Sequence, residues 1–245
     1  QPVLFLSHGS PMTALGGDEL NRAWERLAPR LAKPSAILMV SAHWNTRLPV
    51  LSGSRQPETI HDFGGFPQAL FDAQYPAPGS PEVAAEIRAL LGEAEVAADL
   101  GWGLDHGTWS VLCHLFPDAD IPVVQLSLNA DLNAHEHFAL GRKLAALREQ
   151  GILIVGSGNI VHNLRLMDWR HPDSVEGAYD WAQTARKLVN HWLQSGNNAA
   201  LTNDNAYPEE LRLAAPTPEH WWPLLYVIGA KSDDETLTLL TDVIV

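Results

Sequence analysis

The feature that most constrains this chain is a set of short apolar runs that do not alternate with polar residues. VLFLS (Val3 to Ser7), AILMVSA (Ala36 to Ala42) and ILIVGS (Ile152 to Ser157) are apolar over most of their length, and IPVVQLSL (Ile121 to Leu128) adds a fourth. A strand with one wet face alternates, so a continuous run predicts a strand buried on both faces. Helical periodicity fills the intervals. Leu20, Trp24, Leu27 and Leu31 recur at helical spacing within Asp18 to Leu31. Pro81 opens a helix toward Leu91, with proline at its favoured first position. A third helix runs from Asn133 to Gln150, with Gly151 as its C-cap. Glu176 to Gln194 carries Trp181, Ala185, Leu188 and Trp192 on one face. Thr217 is expected to cap a last helix, with Pro218 in its first turn and WWPLLYVIGA as its body. The tail from Glu235 to Val245 reads as a closing strand. Strand and helix alternate throughout, which predicts an α/β fold: a mixed, mostly parallel central sheet flanked by helices on both faces. We expect a single catalytic domain over residues 1–245, because no repeat or long linker divides it. The Gly- and Pro-rich stretch from Ser52 to Ser80 holds Phe63, Phe66, Phe71 and Tyr75, too aromatic for a linker, and reads as an ordered lid or wall.

Charge and cysteine narrow the classes. Lys and Arg number 16 against 29 Asp and Glu, a formal charge of −13, which disfavours nucleic acid and anionic membranes as partners. No apolar run reaches the ~20 residues of a membrane helix, and no secretory signal pattern is visible at the start. Cys113 has no partner in the chain, so no internal disulfide forms and a reducing compartment is expected. It lies in the apolar run VLCHLF, where a thiol is core rather than nucleophile. There is no phosphate loop, no dinucleotide fingerprint, no HExxH and no G-x-S-x-G elbow.

The 11 histidines are the positive signal. His8 follows VLFLS directly, His43 follows AILMVSA directly, and His162 comes shortly after ILIVGSG. In open α/β sheets, ligands bind at the carboxyl ends of strands. These three can therefore converge on one crevice, with His220 brought by the start of the last helix. Imidazole suits zinc and iron. Glu219 competes with His220 for the role, although a Glu there also fits a helix N-terminus. His162 can equally be a hydrogen-bonded loop residue. His106, in the glycine-flanked GWGLDHGTW, is a candidate for substrate or acid–base work, and His61 sits in the wall. His114 reads as a core helix residue, and His135, His137, His171 and His191 as surface.

Taken in order, FLSHGSPM (Phe5 to Met12), SAHW (Ser41 to Trp44), TIHDFGGFP (Thr59 to Pro67), YPAPGSP (Tyr75 to Pro81), GLDHGTW (Gly103 to Trp109), DIPVVQLS (Asp120 to Ser127), GSGNIVHN (Gly156 to Asn163) and PTPEH (Pro216 to His220) resemble the class III extradiol ring-cleavage dioxygenases, in their DOPA 4,5-dioxygenase-like branch. The resemblance implies a cytoplasmic enzyme with one divalent metal ion, Zn(2+) or non-haem Fe(2+), acting on a catechol such as DOPA with O2 to give a muconic-semialdehyde-type product. It implies His8, His43 and His220 as metal ligands and His162 as a fourth ligand or the acid–base residue. His106 would contact substrate, with His61 and Trp44 beside it. A neutral His162 would take the phenolic proton and later return one. Trp44, Trp109, Phe63 and Phe66 would wall the ring, or simply pack the core. The usual non-haem iron site is two His and one carboxylate, so an all-His set leaves two rivals: a zinc-dependent hydrolase, or a non-catalytic metal-binding protein. The sequence specifies no oligomeric state.

Overall fold

The computed structural model describes residues 1–167 and 178–244. Its strands are β1 (Val3–Ser7), β2 (Ala36–Thr46), β3 (Val50–Ser52), β4 (Ala97–Asp99), β5 (Val123–Asn129) and β6 (Ile152–Gly158). Its α-helices are α1 (Glu19–Leu27), α2 (Gln68–Asp72), α3 (Pro81–Leu91), α4 (His106–Leu115), α5 (Ala134–Leu144), α6 (Asp180–Gln194), α7 (Asn198–Leu201), α8 (Glu209–Ala214) and α9 (Trp222–Ala230). Among the described residues the strands form one sheet in the order β1-β6-β2-β5-β3-β4. β1, β6, β2 and β5 run parallel; β3 is antiparallel to β5 and parallel to β4. This is the mixed, mostly parallel sheet expected.

Both faces are covered. On β2, Ile37 and Met39 face a layer built on α1, α2 and α4, while Leu38 and Val40 face α3, α5, α6, α8 and α9. All four are fully buried, and each such side chain contributes roughly 1.5–3 kcal/mol of burial. That explains the absence of polar residues from this run. β1 differs from expectation: only Leu6 is buried, because β1 is an edge strand bonded to β6 alone.

Helix limits follow local chemistry. Asp18 and Asn21 form a reciprocal capping box at the start of α1. α1 stops at Leu27 rather than Leu31, passing into a 3-10 turn over Ala28–Arg30 that contains Pro29. α5 likewise ends at Leu144 and tightens into a 3-10 segment over Ala145–Gln150; Gly151, at φ 84°, closes it as expected. α6 is described from Asp180; Glu176 lies outside the described residues, as does His171. The last helix begins at Trp222, four residues later than Pro218. Thr217 does not cap it: its hydroxyl donates to Glu219 (2.7 Å), and the Pro218 carbonyl accepts from Trp221 and Trp222. His220 therefore sits in the turn before the helix.

Two further expectations are corrected. Residues 235–244 form no strand. They are held by side chains instead, Arg148 to Glu235 and Arg186 to Asp242, with Leu240 and Val243 packed on the α1/α4 layer. His137 is fully buried, not on the surface. Ala134, His137, Gly141 and Leu144 form the buried face of α5, which packs on α9, a helix with every residue buried. The His137 ring lies 4.4 Å from that of Trp222, and its Nδ1 is 3.1 Å from the Tyr226 hydroxyl. Burial holds its pKa down to about 4. His135 and His191 are exposed and His114 is half-buried.

The 52–80 segment is an ordered wall. Leu70 and Tyr75 are buried, and Phe63 and Phe66 pack against the α4 layer. Trp109 Nε1 donates to the Ile60 carbonyl (2.8 Å) and the Tyr75 hydroxyl to that of Phe116 (2.9 Å).

Candidate metal centre and active site

The sheet order places β1, β6 and β2 side by side, and their parallel register brings their carboxyl ends level. Ser7 pairs with Gly158, and Ser41 with Ser157. His8 leaves β1 at this level. β2 does not stop at Ala42 as expected but runs on to Thr46, so His43 lies within the strand. The pairing with β5 slips there, from Val40 opposite Leu126 to Asn45 opposite Leu128. Such an irregularity re-aims side chains, and His43 sits inside it.

Two helical segments close the site from opposite layers. α4 brings His106 at its first residue. Gly107 follows because its α-carbon abuts β2: a Cβ there would meet Ser41 Oγ at 2.6 Å and the His43 ring at 3.0 Å. From the other layer comes the turn before α9, with His220. Gly158 permits that approach, since a Cβ would lie 2.2 Å from the His220 carbonyl oxygen. Asn159 pins the junction, its N–H donating to the same carbonyl (2.9 Å) and its side-chain oxygen accepting from Gly9 (3.3 Å). His162 N–H bonds the Ala214 carbonyl (2.7 Å).

His8, His43 and His220 each offer a ligand atom, all within 4.8 Å of one another. His8 and His43 present their Nε2 atoms to each other at 3.1 Å. The far side of each ring faces an oxygen. The Ser157 hydroxyl donates to the Gly107 carbonyl (2.5 Å), so it accepts from His8 Nδ1 (2.9 Å). That leaves His8 Nε2 as a lone pair. His220 Nδ1 donates to Glu219 Oε1 (3.2 Å), which leaves its Nε2 buried and without a partner. His43 Nδ1 is 3.6 Å from Asp62 Oδ2. Burial holds the His8 pKa well below the usual histidine range, reinforced by His43, His220, His106 and His162. Burial, then His106 and His220, takes His43 to about 2, against the pull of Asp62. Three imidazoles thus converge, with the Nδ1 atoms of His8 and His220 held by oxygens and that of His43 beyond hydrogen-bond reach of Asp62, a donor set that fits a divalent cation.

The other candidates divide. The His162 ring stacks on His220, centroids 3.4 Å apart; it groups with Glu219 and His220 rather than with the His8–His43 pair. Burial first, then the neighbouring His220, lowers its pKa to about 4, with Glu219 opposing. Although burial opposes it, hydrogen bonds from His220 and Thr217 lower the Glu219 pKa to about 2. His106 packs 3.8 Å from His43, with Phe63 edge-on at 5.7 Å. His61 and Trp44 are not drawn into the cluster. His61 Nε2 bonds the Ala73 carbonyl (2.9 Å), and Trp44 stacks on Trp102.

Sequence reasoning missed Asp62, Ser157 and the network behind α4. There Asp105 caps Thr108 (3.1 Å) and accepts from Ser41 (2.8 Å) and Gln125. Burial, helped by Asp62, raises its pKa to about 6. Asp105 and Asp62 stood beside singled-out histidines in the sequence; Ser157 carried no signal of its own.

A cluster of imidazoles at the carboxyl edge of a parallel sheet, beside an aromatic wall, is an arrangement that could hold a metal ion. The chain is a member of the LigB family: residues 2–243 match the catalytic LigB subunit of aromatic ring-opening dioxygenase. It is 48% identical over 242 residues to a 4,5-DOPA dioxygenase extradiol of Escherichia coli (strain K12), covering 97% of this chain and 88% of that one. A protein of the same description from Beta vulgaris is 36% identical, with 97% and 90% covered. The crystal structure of an uncharacterized Escherichia coli K12 protein matches with a TM-score of 0.82 at 41% identity, covering 98% of this chain and 93% of that one. This chain is an extradiol dioxygenase whose substrates are a small aromatic molecule and O2. No helix among the described residues is long and apolar enough to cross a membrane.

Proposed function

We propose that the protein is a metal-dependent dioxygenase that cleaves a catechol of the DOPA type beside its diol, giving a muconic-semialdehyde-type product. The 1–245 chain would act as one catalytic domain, in the cytoplasm. The observation that carries this reading is the convergence of His8, His43 and His220 with the His220 Nε2 left unpartnered. Those three would hold one divalent ion, Fe(2+) for turnover, with Zn(2+) suited to the same donors. The ion supplies the redox chemistry that a catechol and O2 need to react.

The chain's own residues do the rest. His162 is uncharged near neutral pH because its pKa is lowered to about 4, so it is free to accept a phenolic proton and later return it. Its stack on His220 keeps it beside the ligands without occupying their position. His106 orients the substrate hydroxyls from the opposite side. Phe63, edge-on to His106, takes the aromatic ring; His61 and Trp44 stand one layer out, against Trp109 and Trp102. The wall excludes water from the charged steps.

Oxygen uptake by the Fe(2+)-reconstituted protein across a panel of catechols tests the reading. Uptake with a yellow ring-opened product supports it. Hydrolytic activity without uptake would identify a zinc hydrolase, and metal binding with neither activity a metal-binding protein; either result overturns the proposal.

A further inference from the structure

A carboxylate reaches the histidine cluster from the aromatic wall. Asp62 comes from the wall, 44 residues before His106. Its Oδ1 accepts from the backbone N–H of His106 (2.9 Å), one of the donors that the first turn of α4 cannot satisfy internally. Its Oδ2 lies 3.0 Å from His106 Nδ1. That ring nitrogen is buried and has no hydrogen-bond partner of good geometry among the described residues, so the carboxylate oxygen is the polar group it faces, and the His106 side chain is only 7% exposed.

The carboxylate is not on a loose loop. Ile60 N–H bonds the Leu104 carbonyl, and Leu104 N–H bonds the Glu58 carbonyl, both at 2.7 Å. Trp109 Nε1 closes on the Ile60 carbonyl from the other end of the turn. The strip leading to Asp62 is thus bonded to the strip leading into α4 before Asp62 touches His106.

We propose that Asp62 is a positioning residue for His106. It holds the ring as the Nδ1–H tautomer in one orientation, so that Nε2 meets the substrate as a hydrogen-bond acceptor. The reason lies in the partner chemistry. An ionised carboxylate only accepts, so the nitrogen it faces must carry the proton, and the other nitrogen carries the lone pair. This inference rests on reading His106 as a substrate contact. It adds what sets the direction of that contact, and it gives the wall a chemical part beyond excluding water.

Asp62→Asn is the informative change. It is isosteric and keeps an oxygen for the His106 backbone N–H, but it turns an NH2 toward Nδ1 and thereby favours the Nε2–H tautomer. Two-bond proton–nitrogen NMR correlation on the metal-free protein reads the tautomer directly, with His106→Ala locating the signal. Wild type is expected as Nδ1–H and Asp62→Asn as Nε2–H. With Fe(2+) supplied, kcat/KM should fall about 10–100-fold, the usual worth of a partner that orients a site residue, while bound metal and the far-UV spectrum stay as in wild type. An Nε2–H signal in wild type overturns the proposal, whether or not the variant folds. So does Asp62→Asn with wild-type tautomer and kinetics. Full turnover in His106→Ala would instead remove His106 from substrate contact, a separate failure that the tautomer measurement does not share.

Discussion

Ser157→Ala removes one hydroxyl and should disturb both the fold and the metal centre. Ser157 is fully buried at the carboxyl end of β6. Its oxygen accepts from His8 Nδ1 and its hydrogen goes to the Gly107 carbonyl, so it ties β1 through β6 to α4. Alanine leaves the buried His8 Nδ1–H unsatisfied, while the Gly107 carbonyl, in the first turn of α4, keeps its helical bond. An orphaned buried donor costs about 1–3 kcal/mol. For a chain of this length that lowers Tm by roughly 2–12 °C. The metal effect is distinct. Without an acceptor at Nδ1, His8 is free to carry its proton on Nε2, the atom that faces His43. Loss of such a partner weakens metal binding about 10–100-fold, or about 1.4–2.8 kcal/mol. Thermal melts of the metal-free variant give the first quantity, and titration against a competing chelator gives the second. Wild-type metal affinity together with a wild-type Tm would refute the assignment of Ser157 as the brace of His8, and with it the argument for which nitrogen His8 presents.

The remaining expectations concern the same cluster. His8→Ala and His43→Ala should each lose the metal and all oxygen uptake; full metal occupancy in both, measured by elemental analysis, would remove them as ligands. Glu219→Gln keeps an acceptor for His220 Nδ1 and should retain metal with an affinity loss below about tenfold, while His220→Ala loses it; the reverse pattern would make Glu219 the ligand. His162→Ala should keep metal and bind catechol in a spectroscopic titration while turnover falls about 10²–10⁴-fold, and unchanged turnover would take His162 out of the mechanism. Stability of the metal-free protein should fall between pH 7 and pH 5. His8, His43, His137 and His162 have folded pKa values below the unfolded ~6.5, the last two at about 4, so the unfolded chain takes up more protons as pH drops. Asp105, raised to about 6, opposes this with one proton. Urea unfolding that gives equal stability at both pH values would contradict the burial of these rings.

The wall shows how a sequence reading can be right about an element and blind to its use. Phe63, Phe66 and Tyr75 marked it as ordered, and it is. Yet the residue that touches the site is Asp62, an acid between an aromatic and a histidine that looked like any loop acid. The tail shows the opposite error. ETLTLLTDVIV has strand character, but Arg148 holds Glu235 and Arg186 holds Asp242, so side chains rather than a ladder fix it. His137 was read as surface because neighbours on a helix diverge; which of the pair faces inward was decided by α9, a partner that lies 85 residues along the chain from His137 at its first residue, Trp222.

By itself, the sequence determined the central parallel strands β2, β5 and β6, since a strand covered on both faces is what so unbroken an apolar run fits, and it determined that histidines lie at or just past the carboxyl ends of the apolar runs. The order of motifs determined the family. Tertiary structure alone decided which nitrogens converge. That depends on strand order, on the slipped pairing that re-aims His43, and on the close approaches at Gly107 and Gly158 that let two opposite layers reach one point. It also decided the tautomers, because the oxygens of Ser157, Glu219 and Asp62 are brought to ring nitrogens by packing. Two of those three lie far from their histidines in the chain, and a hydrogen bond between distant residues leaves no local pattern to read.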